Sequence, residues 1–235
     1  MKLGTTRLFL WLGLLIVALS AFVTSTRIAS TSDLQLASLG EQRSIAQFAA
    51  VGAVIALLVG IVLAAGEWAH GTIAHTFLAT PVREKVVGAK LIAGAIAGVV
   101  VTGFAELVTW TIAAAWLSGK SVPFWLDTHP ILTAYLGILG AGALAAALGV
   151  GLGALLRRQT AAIVLALIWL LVGEPVLAIA GLQQYAPGHA IAAVAVAGSA
   201  SSELLAFWHG LLVALCYVGA FAAAGTVVVH RSDVN

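Results

Sequence analysis

Residues Ile131–Leu156, ILTAYLGILGAGALAAALGVGLGALL, run for 26 positions without one charged side chain. At ~1.5 Å per residue a helix of that length reaches ~39 Å, more than the ~30 Å hydrocarbon core of a bilayer. Five further stretches read the same way: Leu8–Thr26, Ile45–Gly66, Leu91–Leu117, Thr160–Leu182 and Leu204–Val229. Within all six, only Glu106, Glu174 and His209 carry carboxylate, imidazole or basic side chains. The 235-residue chain is 62% hydrophobic and 9% charged, whereas soluble domains carry ~25% charged residues. A folded chain this small exposes a large share of its atoms, so it could not hide that much apolar surface from water. The fold class is therefore an all-α integral membrane protein with six spans in one transmembrane domain, residues 1–235. Soluble enzymes and disulfide-stapled secreted domains are excluded, and a net charge of +2 offers nothing to a nucleic acid. The one cysteine, Cys216, allows no internal disulfide and reads as a small buried hydrophobe.

Lysine and arginine set the expected orientation. With the N-terminus cytoplasmic, the inner segments hold Lys2, Arg7, Arg83, Lys85, Lys90, Arg157, Arg158 and Arg231. The outer segments hold only Arg27, Arg43 and Lys120, which is a positive-inside bias placing both termini in the cytoplasm. Lys2 and Arg7 before an apolar run also fit a signal peptide, which would leave five spans, but Val23-Thr24-Ser25 makes a poor cleavage site. Gly66–Lys90 is the long inner loop. Outside, residues 183–203 include the apolar stretch Ala190–Gly198, too short to cross and expected to lie at the interface or dip back among the helices. Gly94/Gly98 and Gly149/Gly153 stand at the GxxxG spacing that permits close helix approach.

Catalytic motifs are missing. Gly119-Lys120-Ser121 lacks the earlier glycine of a P-loop, because position 114 is alanine, and it follows a helix instead of a strand. Ser118 and His209 have no glycine-rich oxyanion loop beside them. His70 and His75, five apart, fall on different helix faces and cannot make a zinc helix.

The inner loop is more informative. Ile73, Phe77 and Leu78 form an apolar stripe at helical spacing, closed by Thr80-Pro81, where a new helix opens with Glu84 in its first turn. An amphipathic helix there touches either lipid headgroups or another protein. Glu67, then three residues to Gly71-Thr72-Ile73, then Thr76-Phe77-Leu78, Pro81, Arg83 and Lys90 form a pattern. It resembles the loop between the second and third spans of ABC-2-type transporter permeases, small bacterial ones especially. Six spans, both termini inside and Glu174-Pro175 in the fifth span are similar to that family too. The resemblance implies an exporter subunit of the bacterial cytoplasmic membrane that pairs with a copy of itself or a related permease. It implies two separate ABC ATP-binding subunits docking on Glu67, His70, Gly71, Thr72, Phe77, Pro81 and Arg83. ATP and Mg would be held by those partners, with no cofactor on this chain. Members generally carry an amphipathic helix before the first span; here Met1–Arg7 precede it.

At ~1.5 Å per residue, Glu106 and Glu174 lie ~22 and ~21 Å from the inner face, and His209 ~8 Å below the outer one. All three then share one level of the core, where lipid contact would cost each carboxylate ~2.5–3.5 kcal/mol. They are expected to face the bundle as a polar layer on a gate or substrate path, or as an interhelical hydrogen-bond cluster. Pro175 removes a backbone donor from the Leu171 carbonyl and is expected to kink the fifth span. An apolar lining favours a hydrophobic or amphipathic cargo. Two rival classes stay open: a membrane enzyme or accessory subunit whose loop is only a lipid anchor, and a passive channel, for which no continuous polar stripe is visible.

Overall fold

The computed structural model describes residues 2–69, 71, 83–125, 128–197 and 204–231, and these are helical except for short connections. The helices are α1 (Lys2–Ser30), α2 (Leu39–Gln47), α3 (Val51–Ala69), α4 (Arg83–Gly119) and α5 (His129–Leu156). They continue as α6 (Gln159–Ile168), α7 (Glu174–Ile179), α8 (Pro187–Ala195) and α9 (Phe207–Arg231). Six helical stretches are long and apolar enough to cross a membrane, and each overlaps one of the six expected spans. Helix α2 continues through one 3-10 turn into α3, and α6 continues through a turn of π-helix into α7.

Two boundaries differ from expectation. Both described ends of the long loop are helical: α3 runs on to Ala69 and α4 is already formed at Arg83, eight residues before Leu91. Arg83, Glu84, Lys85 and Lys90 are good helix formers, so the helix outlasts the apolar run. His70, Thr72, Phe77 and Pro81 lie outside the described residues. The sixth span begins at Phe207, not Leu204.

Helix α5 is the centre of the bundle, with 72% of its span buried against 17% for α9. It packs on α3, α4, α9 and α8. The reason is its small side chains. A Cβ built on Gly149 would strike the Leu57 carbonyl of α3, and one on Gly60 would strike the Ala146 carbonyl of α5. A Cβ on Gly98 of α4 would strike the Gly142 carbonyl in the same way. Without side chains at these crossings the backbones come into direct contact, which is how helices adhere where lipid offers no hydrophobic drive. Around this centre the surface is apolar, with Trp11, Phe22, Leu107, Leu136, Leu171 and Ile179 exposed. Cys216 belongs to that surface and is not the buried hydrophobe expected of it, because it stands on the outward face of the peripheral α9.

Polar contacts tie the bundle at both ends. Lys90 Nζ meets Glu67 Oε2 at 3.0 Å and Arg157 lies 5.3 Å over the Trp68 ring, so the ends of α3, α4 and α5 share one end of the bundle. This is the basic end. At the opposite end Lys120 pairs with Asp33 at 2.7 Å, and Arg27 forks onto Glu41 at 2.8 and 3.1 Å. There the buried Gln42 donates Nε2 to the carbonyls of Leu36 and Pro123, and accepts at Oε1 from the Trp125 amide. One amide thus clasps the chain after α1 to the chain after α4. Gln42→Leu leaves three backbone groups without that partner, and at ~1 kcal/mol per lost neutral hydrogen bond the expected cost is about 2–3 kcal/mol. Chemical unfolding in a mild detergent would read it; a loss below about 0.5 kcal/mol would remove the clasp.

Candidate functional site

Glu174 is placed by its own helix break. Pro175 has no N–H to give, and the chain answers one turn earlier: Trp169–Gly173 widen into a π-turn, and the Glu174 amide bonds the Trp169 carbonyl five residues back. Gly173 makes the turn possible, since a Cβ there would lie 2.8 Å from the Trp169 indole. Where a kink is expected, the helix carries a π-turn just ahead of Pro175.

The carboxylate released there is buried and reaches α8. Glu174 Oε1 accepts from the Gly188 amide at 2.6 Å, and Oε2 lies 2.9 Å from His189 Nδ1. Pro187 and Gly188 open α8, so Glu174 sits against the free amides of its first turn, the positive end of the helix. A Cβ on Gly188 would stand 2.5 Å from Glu174 Oε1, so a larger residue there would have to push the carboxylate off its amide. At the far end of α8 the Arg43 guanidinium bonds the Ala197 carbonyl. A helix of nine residues is thus held by an anion at its N-terminal end and a cation beyond its C-terminal end. Helix α8 packs on α5 and α9, with Ala190, Ile191, Ala193, Val194 and Ala195 buried. In the segment from 183 to 203, the described helix α8 therefore packs against the bundle.

Beside this pair lies a cavity of about 320 Å³ lined almost wholly by small and aliphatic side chains of α3, α5 and α8, with Glu174 and His189 as its ionisable members. His189 escaped the sequence reading because its neighbours look like loop. The signal was present: Pro187-Gly188-His189 opens an apolar nine-residue helix in a chain whose buried Glu174 needs donors.

The other two intramembrane groups stand apart. No hydrogen bond or ion pair joins any two of Glu106, Glu174 and His209. His209 is exposed on α9. Glu106 is buried on α4 with Oε1 unpartnered, as are Ser20 Oγ and Thr24 Oγ1 of α1 and Thr109 Oγ1 of α4. The Lys120–Asp33 ion pair aligns α1 with α4. Equal rise from it puts Ser20 and Thr24 about level with Leu107 and Thr111, within a turn of Glu106 and Thr109.

At the basic end, Glu67 and Lys90 close the base of the expected coupling loop, with Gly71 in the left-handed region at φ 66°. Next to the ion pair is a cavity of about 370 Å³ between α3 and α4, bordered by Leu63, Glu67, Lys85 and Lys90. Arg83 opens α4 on that side. Among the described residues no three His, Cys, Asp or Glu come together as metal ligands.

These features define a helical protein with six membrane-length apolar helices and one acid–imidazole pair beside an apolar cavity. No protein-family model, curated protein or solved structure matches the chain.

Proposed function

We propose that the chain is the transmembrane permease subunit of an ATP-driven ABC exporter in a bacterial cytoplasmic membrane. Both termini and the 66–90 loop face the cytoplasm, and ATP and Mg are held by two separate ATP-binding subunits. The permease pairs with a copy of itself or a related chain, and moves a hydrophobic or amphipathic cargo by alternating access. The observation that carries this reading is the clamp under the loop. Glu67 and Lys90 bridge the exit of α3 to α4, so force on the loop reaches both helices together. Gly60 and Gly149 lock α3 onto α5, and Gly98 locks α4 onto it. Helices α3, α4 and α5 then move as one body. A lipid anchor has no use for such a clamp.

Purification of the tagged chain from its native host in mild detergent, with mass spectrometry of bound proteins, tests the reading. A stoichiometric partner carrying nucleotide-binding motifs is expected. Glu67→Lys is expected to cut the ATPase activity of the complex several-fold, and Glu67→Lys with Lys90→Glu to restore most of it by rebuilding the ion pair reversed. Recovery of the chain alone, under conditions that preserve known membrane complexes, would favour the membrane-enzyme or accessory-subunit class.

A further inference from the structure

The cavity beside Glu174 has a neighbour. A second cavity of about 240 Å³ shares Leu57, Leu170, Gly188 and Ile191 with it, and extends to Trp169, Tyr217 and Phe221. The two cavities adjoin at those four residues as lobes of one apolar region, and the charged groups lining them lie at one place, the Glu174–His189 pair. We propose that this space is a binding site for an amphipathic organic cation, its ammonium head at Glu174–His189 and its hydrocarbon between Leu57, Leu170 and Ile191.

The sign of the head follows from counting. With a neutral imidazole the pair carries one negative charge; a proton on His189 Nε2 brings it to zero. Among the described residues no lysine or arginine lines either lobe, so those walls do not cancel that charge. An anion has no seat, since the positive end of α8 is already taken by Glu174. An ammonium does. A carboxylate offers about four lone-pair sites, and Glu174 uses one for Gly188 and one for His189. With Nδ1–H turned to Glu174, the neutral imidazole also presents Nε2 as an acceptor. In an apolar surround such charge-assisted bonds are stronger than the same contacts in water. The tail is matched by the walls, where Leu57, Leu170 and Ile191 face both lobes. The helix-capping role of Glu174 accounts for its burial but not for the space next to it.

The site is complete within this chain and needs no ATPase partner, so it stands or falls separately from the transport reading. The test uses the full chain in phosphatidylcholine nanodiscs, with equilibrium dialysis of decylammonium and empty discs as the partition background. A saturable component near one per chain is expected, with decyl sulfate and decanol at least about tenfold weaker. Glu174→Gln is expected to weaken decylammonium by roughly tenfold or more, the scale of a buried charge contact removed. Ala192→Phe, which fills the first lobe from a half-buried position on α8, is expected to abolish the saturable component while the protein stays monodisperse. Absence of a saturable component would overturn the proposal. So would equal binding of the three decyl compounds, the behaviour of a space that holds lipid tails, or binding unchanged in Ala192→Phe. If Glu174→Gln does not stay folded, His189→Gln and Ala192→Phe decide.

Discussion

Gly149→Val is expected to destabilise the bundle severely, and Gly60→Val the same. Overpacking a core by a methylene or two ordinarily costs about 1–3 kcal/mol, because neighbouring side chains can shift. Here no side chain stands in the way. The first added carbon falls on a backbone carbonyl, Leu57 for position 149 and Ala146 for position 60, so a whole helix must move. These crossings hold α3 to α5, and α5 is the element that α4, α8 and α9 pack on. The loss is therefore expected to reach or exceed about 3 kcal/mol, a large part of the 5–15 kcal/mol that separates folded from unfolded protein. Size-exclusion chromatography and the thermal midpoint in detergent would show it as aggregated or heat-labile material. The contrast is Gly88→Ala, where nothing lies within 4 Å of the added carbon. In α4 that change is expected to gain about 0.5–1 kcal/mol from helix propensity. A Gly149→Val protein that melts with the Gly88→Ala variant would mean the α3–α5 crossing is not as close as described.

Glu174→Ala comes next in size, and its effect is local. It strips the Gly188 amide and His189 Nδ1 of their partner, and removes the anion from the positive end of α8. Hydrogen bonds to a charged group contribute about 1.5–3 kcal/mol each. The His189 side chain is 31% exposed, so its share is discounted for solvent. The sum expected is about 3 kcal/mol, concentrated in α8. Hydrogen exchange over 188–197 should accelerate by two orders of magnitude, each tenfold reporting ~1.4 kcal/mol, while α3 and α5 keep their protection. Glu174→Gln keeps an acceptor for Gly188 and should fall between. Unchanged exchange in the alanine variant would show that α8 is held by its apolar packing on α5 and α9 alone. Arg43, bonded to the Ala197 carbonyl, would remain as the second anchor in either case.

The candidate site was only partly legible in the sequence. Glu174 and Pro175 stood out because a carboxylate and a helix breaker are each costly in a membrane, a property of those residues wherever they fall. Their depth could be counted from the ends of the span, but depth is one coordinate of three. Glu106 shares that depth by count, yet it turns on α4 with no bond to Glu174, and His209 turns outward on α9. The partner Glu174 does have, His189, lies 15 residues on, in a segment whose composition says only that it is apolar and short. The two GxxxG pairs were visible as spacing, but in so glycine-rich a chain spacing could not say what they meet. In the structure Gly149 and Gly153 meet α3, and Gly94 and Gly98 meet α5, so they are spent within this chain.

By itself the sequence determined six membrane-length helices and the crowding of positive charge at alternate connections. Both are sums over single residues of a preference for hydrocarbon, water or headgroup, and need no knowledge of neighbours. Tertiary structure alone decided that α5 is the centre, that α8 enters the bundle with Glu174 at one end and Arg43 at the other, and that an apolar cavity opens beside the pair. Those outcomes depend on the rotation and separation of helices far apart in the chain. They are fixed by contacts a few ångströms long that no run of residues along one helix contains.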